Sequence, residues 1–263
     1  MNNRGGIILK TPAQIDAMAA AGAVHAECLR MLRDMCAPGV TTASLDEAAE
    51  EFIRSKGGVP SFKGYHGFPA SICASPNTMV VHGFPSKDPL EEGDILSIDV
   101  GVTLDGWVAD GAITVGIGEI DQEASRLLEV TEASLFAAVD QAVVGNHLGD
   151  ISHAVQRTVE SAGFSIIRTL VGHGIGRNMH EDPQVPNYGE PGRGPALRAG
   201  MVLAIEPMVN VGGPEVYVAE DDWQVFSSDD SLAAHFEFTV AITDAGPRIL
   251  TPWHLPATAT VAG

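Results

Sequence analysis

The chain has 263 residues, 45% of them hydrophobic, which allows one large domain or two small ones around a sizeable core and excludes wholesale disorder. Its formal net charge of −19, with no basic run, excludes a partner held through phosphates, so neither nucleic acid nor an anionic membrane surface is expected. Three cysteines without C-x-x-C spacing rule out a zinc ribbon or disulfide scaffold, and with no signal-peptide core in MNNRGGIILKTP and no long apolar span the expected location is the cytoplasm.

Thr11-Pro12-Ala13-Gln14 combines a capping box with Pro at the first helical position and predicts a helix start. Val24, Cys28, Met31 and Met35 recur at helical spacing and predict its buried face, up to Ala37-Pro38-Gly39. His25 on this helix reads as a packed or exposed residue without a functional role. A second helix is predicted through Leu45, Ala49, Phe52 and Ile53, broken by Gly57-Gly58. Short β-type segments follow, with helices predicted over 122–143 and 147–163. No linker interrupts the chain, so a single domain over 1–263 is expected, with a short extension at 1–10 and a loose tail from about His254.

Residues 90–99, LEEGDILSID, match residues 197–206, LRAGMVLAIE, at a constant offset of 107. Leu90, Gly93, Ile98 and Asp99 align with Leu197, Gly200, Ile205 and Glu206. Each copy is a turn, an apolar strand and a carboxylate, and an acid in that place is costly unless paired or coordinated. Two at one offset predict a duplicated architecture with a shared acidic centre. Asp110, in GWVADGAITV, is expected on the return strand of a hairpin turning near Asp105-Gly106, and Glu237 sits in AAHFEFTVAIT. Four such acids without cations would repel one another and protonate. Divalent metal resolves the conflict, and four carboxylates with one imidazole suit two ions such as Mn(II), Co(II), Fe(II) or Zn(II).

The stretch GHGIGRNMHEDP, residues 172–183, holds His173 and His180. It fails as a dinucleotide fingerprint because its third glycine comes one residue early, and as a zincin helix because Gln184 stands where the second His is needed. Taken alone it leaves a metal site, an acid/base pair and plain loop histidines all open.

Together, HGFP around His82, the Asp99 and Asp110 strands, GHGIGRNMHEDP, LAIEPM and Glu237 form an ordered set. In that set the chain resembles the type I methionine aminopeptidases, from Thr11 to about Pro252. The resemblance implies an α+β pita-bread fold, a pseudo-twofold duplicated antiparallel sheet covered by helices. It implies two divalent metal ions held by Asp99, Asp110, His173, Glu206 and Glu237, with Asp110 and Glu237 bridging. It gives His180 the substrate carbonyl, His82 the peptide nitrogen and Glu206 the proton-shuttle role, and lines an apolar pocket with Tyr65, Phe68, Cys73, Met208 and Trp223. The implied substrate is the N-terminal Met of peptides and nascent proteins with a small second residue; the implied state is a monomer, with the ribosome a candidate partner. This chain departs from the family pattern at Phe238, where His is expected, at Met179, where Phe is common, and at Phe62, where Cys is common. Proline-directed peptidases of the same fold, and a non-catalytic binding protein on the scaffold, are the rival expectations. The first would carry a large N-terminal domain, and the second would lose ligands and gain basic patches.

Overall fold

The computed structural model describes residues 6–256. Helix α1 (Pro12–Met35) begins at the expected capping box, in which the Thr11 hydroxyl accepts from the Gln14 amide at 3.3 Å and Gln14 Oε1 accepts from the Thr11 amide at 2.9 Å. Its buried face runs through Ile15, Met18, Gly22, Cys28, Leu29 and Leu32, while Val24, Met31 and Met35 lie half-buried along its edge. The face is rotated from the expected one because Gly22 backs directly onto the Leu250 carbonyl: a Cβ there would stand 1.8 Å from that oxygen. His25 is fully buried and its Nε2 is hydrogen-bonded to the Gly111 carbonyl at 3.0 Å, so it is a packed residue under the sheet.

Helices α2 (Thr42–Ser55), α3 (Gln122–Asp140) and α4 (Leu148–Ser161) follow the predicted segments, α3 stopping three residues early. A helix pair therefore precedes a set of strands twice. The copies agree at Gly93 and Gly200, which both have φ of 93° and turn the chain into the strands Ile95–Leu104 and Val202–Ile205. Only glycine adopts that conformation without strain, which is why both repeats carry it.

In the first half, Ile95–Leu104 pairs antiparallel with Ile72–Pro76 on one side and with Trp107–Gly116 on the other, the hairpin turning at Asp105-Gly106 as predicted. In the second half a five-stranded sheet runs in the order Gly246–Ile249, Phe238–Thr243, Val202–Ile205, Val171–Gly174, Glu181–Pro186. A three-stranded sheet, Ala233–His235, Met208–Asn210 and Ser165–Ile166, adjoins it. One hydrophobic cluster joins both halves, with Leu29, Leu45 and Ile98 from the first and Leu127, Ile205 and Phe238 from the second. His254, where the loose tail was expected to start, still packs on Phe238 with ring centroids 5.1 Å apart; the tail from residue 257 lies outside the described residues. Among the described residues no helix is long and apolar enough to cross a membrane.

A seam holds the halves together at the strand Trp107–Gly116. Thr239 Oγ1 accepts from the Asp110 amide at 3.0 Å and donates to the Asp110 carbonyl at 2.8 Å. The Glu237 amide donates to the Ala112 carbonyl at 2.9 Å, and Thr114 Oγ1 donates to the His235 carbonyl and accepts from its amide, both at 2.9 Å. Two threonine hydroxyls thus stand in for missing ladder bonds. Thr239→Val keeps the shape but strands two buried backbone groups, at about 1–3 kcal/mol each. Its unfolding temperature should drop by several degrees while Thr239→Ser stays near wild type; equal values in thermal melts of all three proteins would contradict the seam.

Candidate active site and metal centre

The five expected ligands come from three strands and two breaks between strands, all side by side. Asp99 pairs with Ala112 and Asp110 with Gly101, so the two aspartates are diagonal neighbours on one face of the hairpin. Asp110 and Glu237 are related in the same way across the seam. The pairings Ile205 with Phe238 and Met208 with His235 hold one register, which sets Glu206 opposite Glu237. His173 pairs with Ala204, two residues before Glu206 on the same face. The order across the sheet is therefore Asp99, Asp110, Glu237, Glu206, His173.

The two aspartates sit within strands, as expected, but the two glutamates sit in breaks between strands. At Glu206-Pro207 and again at Phe236-Glu237 the chain passes from one sheet to the other. This crossing corrects one expectation. Met208 does not line the cavity; it is 1% exposed and packs with Val80, Val81, Ile167 and Val225, because the chain beyond Pro207 has entered the second sheet.

Asp110, His173 and Glu237 each place a donor atom within 4.8 Å of the others. His173 Nε2 lies 3.6 Å from Glu206 Oε1 and 3.9 Å from Asp110 Oδ2. Its Nδ1 is 2.9 Å from the Gly174 carbonyl, which can only accept, so Nδ1 carries the proton and Nε2 offers its lone pair to the cluster. Asp99 Oδ1 and Glu237 Oε1 are buried with no hydrogen-bond partner. Burial pushes the Asp110 carboxyl up to about 7, and burial followed by neighbouring carboxylate charge holds Asp99, Glu206 and Glu237 well above the carboxylate range. Burial, then the adjacent His180, lowers His173 to about 4. Orphaned oxygens, mutually repelling acids and an unprotonated imidazole fit a divalent cation in this donor set.

Above the cluster opens a cavity of about 470 Å³. All five ligand side chains reach it, with His82 and His180 and, of the expected pocket residues, Tyr65, Phe68, Cys73 and Trp223. Phe62 and Met179, the departures from the family pattern, form its back wall and close over Gly101, where a Cβ would stand 2.7 Å from the Phe62 ring and 3.0 Å from Met179 Cε. Phe68 meets Trp223 edge to face at 5.1 Å. His82 sits at φ 61°, a left-handed conformation rare outside glycine, and its ring meets Trp223 at 6.1 Å. The His180 ring lies 4.3 Å from that of His173, and its Nδ1 is hydrogen-bonded to the Tyr65 hydroxyl at 2.8 Å.

The loop carrying His180 is pinned from two sides. Glu181 accepts from the Arg177 and Asn178 amides and pairs with Lys10 at 2.6 Å, both side chains under 5% exposed. Arg177 donates to the carbonyls of Asp105 and Gly106 and covers the Trp107 ring at 3.9 Å. Sequence reasoning missed two residues. His66, at φ 47°, lines the cavity beside Tyr65, and no spacing signals it. His235 lies beside Glu206 and Glu237 through the register of the paired strands, which no spacing in the sequence reveals.

Residues 16–244 match the family model described as metallopeptidase family M24. A methionine aminopeptidase of Clostridium acetobutylicum is 56% identical over 246 residues, covering 93% of this chain and 98% of the relative. Methionine aminopeptidase 1 of Bacillus subtilis is 49% identical over 93% of this chain and 99% of its own. The crystal structure of a methionine aminopeptidase from Thermotoga maritima superposes with a TM-score of 0.92 at 46% identity, over 94% of this chain and 99% of that one. A prolidase from Pyrococcus furiosus shares the fold at a TM-score of 0.73 and 20% identity, and this chain spans 65% of it. The chain belongs to metallopeptidase family M24, and within it to the methionine aminopeptidases. It is a metal-dependent hydrolase with the duplicated α+β fold of its structural neighbours.

The raised carboxyls give a signed pH dependence. In the metal-free protein the folded state holds protons that the unfolded chain has released, so this contribution is complete below about pH 4 and is lost as pH rises through about 7. Metal reverses the trend, because it needs the same groups ionised. Between pH 5 and 8 the melting temperature of metal-free protein should fall and the increment conferred by metal should grow. An increment independent of pH would contradict the assignment.

Proposed function

We propose that this chain removes the N-terminal methionine of peptides and nascent proteins, using two divalent ions held by Asp99, Asp110, His173, Glu206 and Glu237. The observation that carries the reading is the row of five donors on neighbouring strands at the floor of a cavity walled by aromatic and sulfur side chains. Asp110 and Glu237, which lie between Asp99 and Glu206 in the row, would be shared between the two ions, and Co, Mn, Fe or Zn would suit the set. When bound, the ions supply Lewis acidity toward the scissile carbonyl and make a water acidic enough to attack it.

The protein's own groups do the rest. Phe68 and Trp223, with Tyr65, Phe62, Cys73 and Met179, form a slot for an unbranched thioether, which packs well on ring edges. The Tyr65 hydroxyl is hydrogen-bonded to His180 Nδ1, and with Tyr65 as the donor the imidazole proton sits on Nε2, where it is offered to the substrate carbonyl as negative charge develops. Glu206, whose carboxylate reaches the cavity, takes the proton of the attacking water and passes it on. His82, at the rim, contacts the peptide nitrogen beside the scissile bond. Crowding by His82 and His180 leaves space for a small second residue only. A monomer acting on nascent chains in the cytoplasm accords with the proposed substrate and with the lack of a membrane-crossing helix among the described residues; the ribosome is a candidate partner through that substrate, since the net charge of −19 gives no hold on phosphates.

The test compares kcat/KM on Met-Ala-Ser, Leu-Ala-Ser, Met-Leu-Ser and acetyl-Met-Ala-Ser. A misfit of one methyl in an apolar pocket is worth about 1–3 kcal/mol, so the leucine peptide should be roughly tenfold slower or worse. The bulky second residue should slow cleavage further and the acetylated peptide should be refused. Equal rates on the methionine and leucine peptides would mean a general aminopeptidase.

A further inference from the structure

We propose that His235 is a positioning residue for the metal centre, whose Nε2–H donates to the paired carboxylates of Glu206 and Glu237 and holds them in their ligating orientation. The inference deepens the metal reading given above and rests on it. His235 is 2% exposed, and its Nε2 is buried with no hydrogen-bond partner. That atom stands almost midway between two carboxylates, 3.9 Å from Glu206 Oε2 and 3.8 Å from Glu237 Oε2. Both distances exceed a hydrogen bond by less than an ångström-scale side-chain adjustment. A buried polar atom left without a partner is rare enough to need a reason, and here two acceptors of the right chemistry face it.

Both neighbours can only accept once ionised, so a bond to either requires Nε2 to carry the proton. His173 has the opposite arrangement, with its proton held on Nδ1 by the Gly174 carbonyl and its Nε2 lone pair free. One imidazole therefore ligates and the other braces ligands. Position supports the distinction. Glu206, Glu237 and His173 line the cavity whereas His235 does not, so it stands behind the glutamates. The backbone fixes it there, because both its amide and its carbonyl are tied to Thr114 Oγ1 at 2.9 Å. The neighbouring Phe238 cannot take over the task; it is fully buried and stacks on Trp253 at 4.7 Å.

The test uses full-length wild type, His235→Gln, His235→Leu and, as a control on the metal reading, Glu237→Gln. Each is stripped of metal and titrated with cobalt(II), followed by calorimetry and visible absorption. Loss of a hydrogen bond to a ligand typically costs about 10- to 100-fold in metal affinity, and that is the loss expected for His235→Leu. Glutamine places its own N–H near the lost Nε2, so His235→Gln should bind within about threefold of wild type with an unchanged cobalt spectrum. Circular dichroism confirms that each variant is folded. Wild-type affinity in His235→Leu, alongside loss in Glu237→Gln, would overturn the role of His235 and leave the metal reading intact. His235→Gln binding as weakly as His235→Leu, with a changed spectrum, would make His235 a ligand and also overturn the proposal. Cobalt binding that is unaffected in both His235→Leu and Glu237→Gln would fell the metal reading itself.

Discussion

Four carboxylates share one buried face of this sheet, and their mutual repulsion is the constraint that the rest of the structure answers. Directly opposed or diagonal like charges destabilise a sheet, and burial makes the ionised forms costlier still. With burial holding Asp99, Asp110, Glu206 and Glu237 above their ordinary titration range, the metal-free cluster favours protonation over folding strain as its relief. A divalent cation relieves it in the other direction. The affinity of the site for metal and the instability of its empty, ionised form are thus two views of one arrangement.

Such an arrangement needs a frame that does not yield. The hairpin Ile95–Leu104 with Trp107–Gly116 supplies two of the acids on a regular ladder. The second half supplies two more only where its strands change sheets, at Glu206-Pro207 and Phe236-Glu237. Thr114 and Thr239 bind these two constructions together through side-chain hydroxyls on either side of the backbone pair Ala112–Glu237. Farther out, the buried Lys10–Glu181 pair and Arg177 over Trp107 fix the glycine-rich loop that presents His180. In the proposed mechanism His180 meets charge developing on the substrate, a role that calls for a group already in place, and this pinning is consistent with it.

Much of this could be read from the chain. The capping box at Thr11-Gln14, the hairpin turn at Asp105-Gly106 and the repeat at offset 107 are local signals, and the structure realises each, down to the identical φ at Gly93 and Gly200. The four acids brought to the cavity were legible for the same reason, since each interrupts an apolar run, whereas His82, His180 and the aromatic wall came only from the family resemblance. What escaped depended on tertiary context. The buried face of α1 is set by contact with the Leu250 backbone, which no periodicity reveals. Met208 was expected in the cavity from the family resemblance alone, and the change of sheet at Pro207 carries it into the neighbouring apolar cluster. His66 is in the cavity through a left-handed backbone, and His235 is beside the glutamates through a register that only the paired strands define.

The central claim is that the buried acids exist to hold two ions between them. It is tested most directly by counting metal. Metal-free wild type and Asp110→Asn, dialysed against excess cobalt(II) and then buffer, should be analysed for bound metal per chain by elemental mass spectrometry. The account predicts two ions in the wild type and at most one in the variant, because a neutral amide between Asp99 and Glu237 cannot offset two divalent charges. Equal metal content in the two proteins, or none in either, would contradict it.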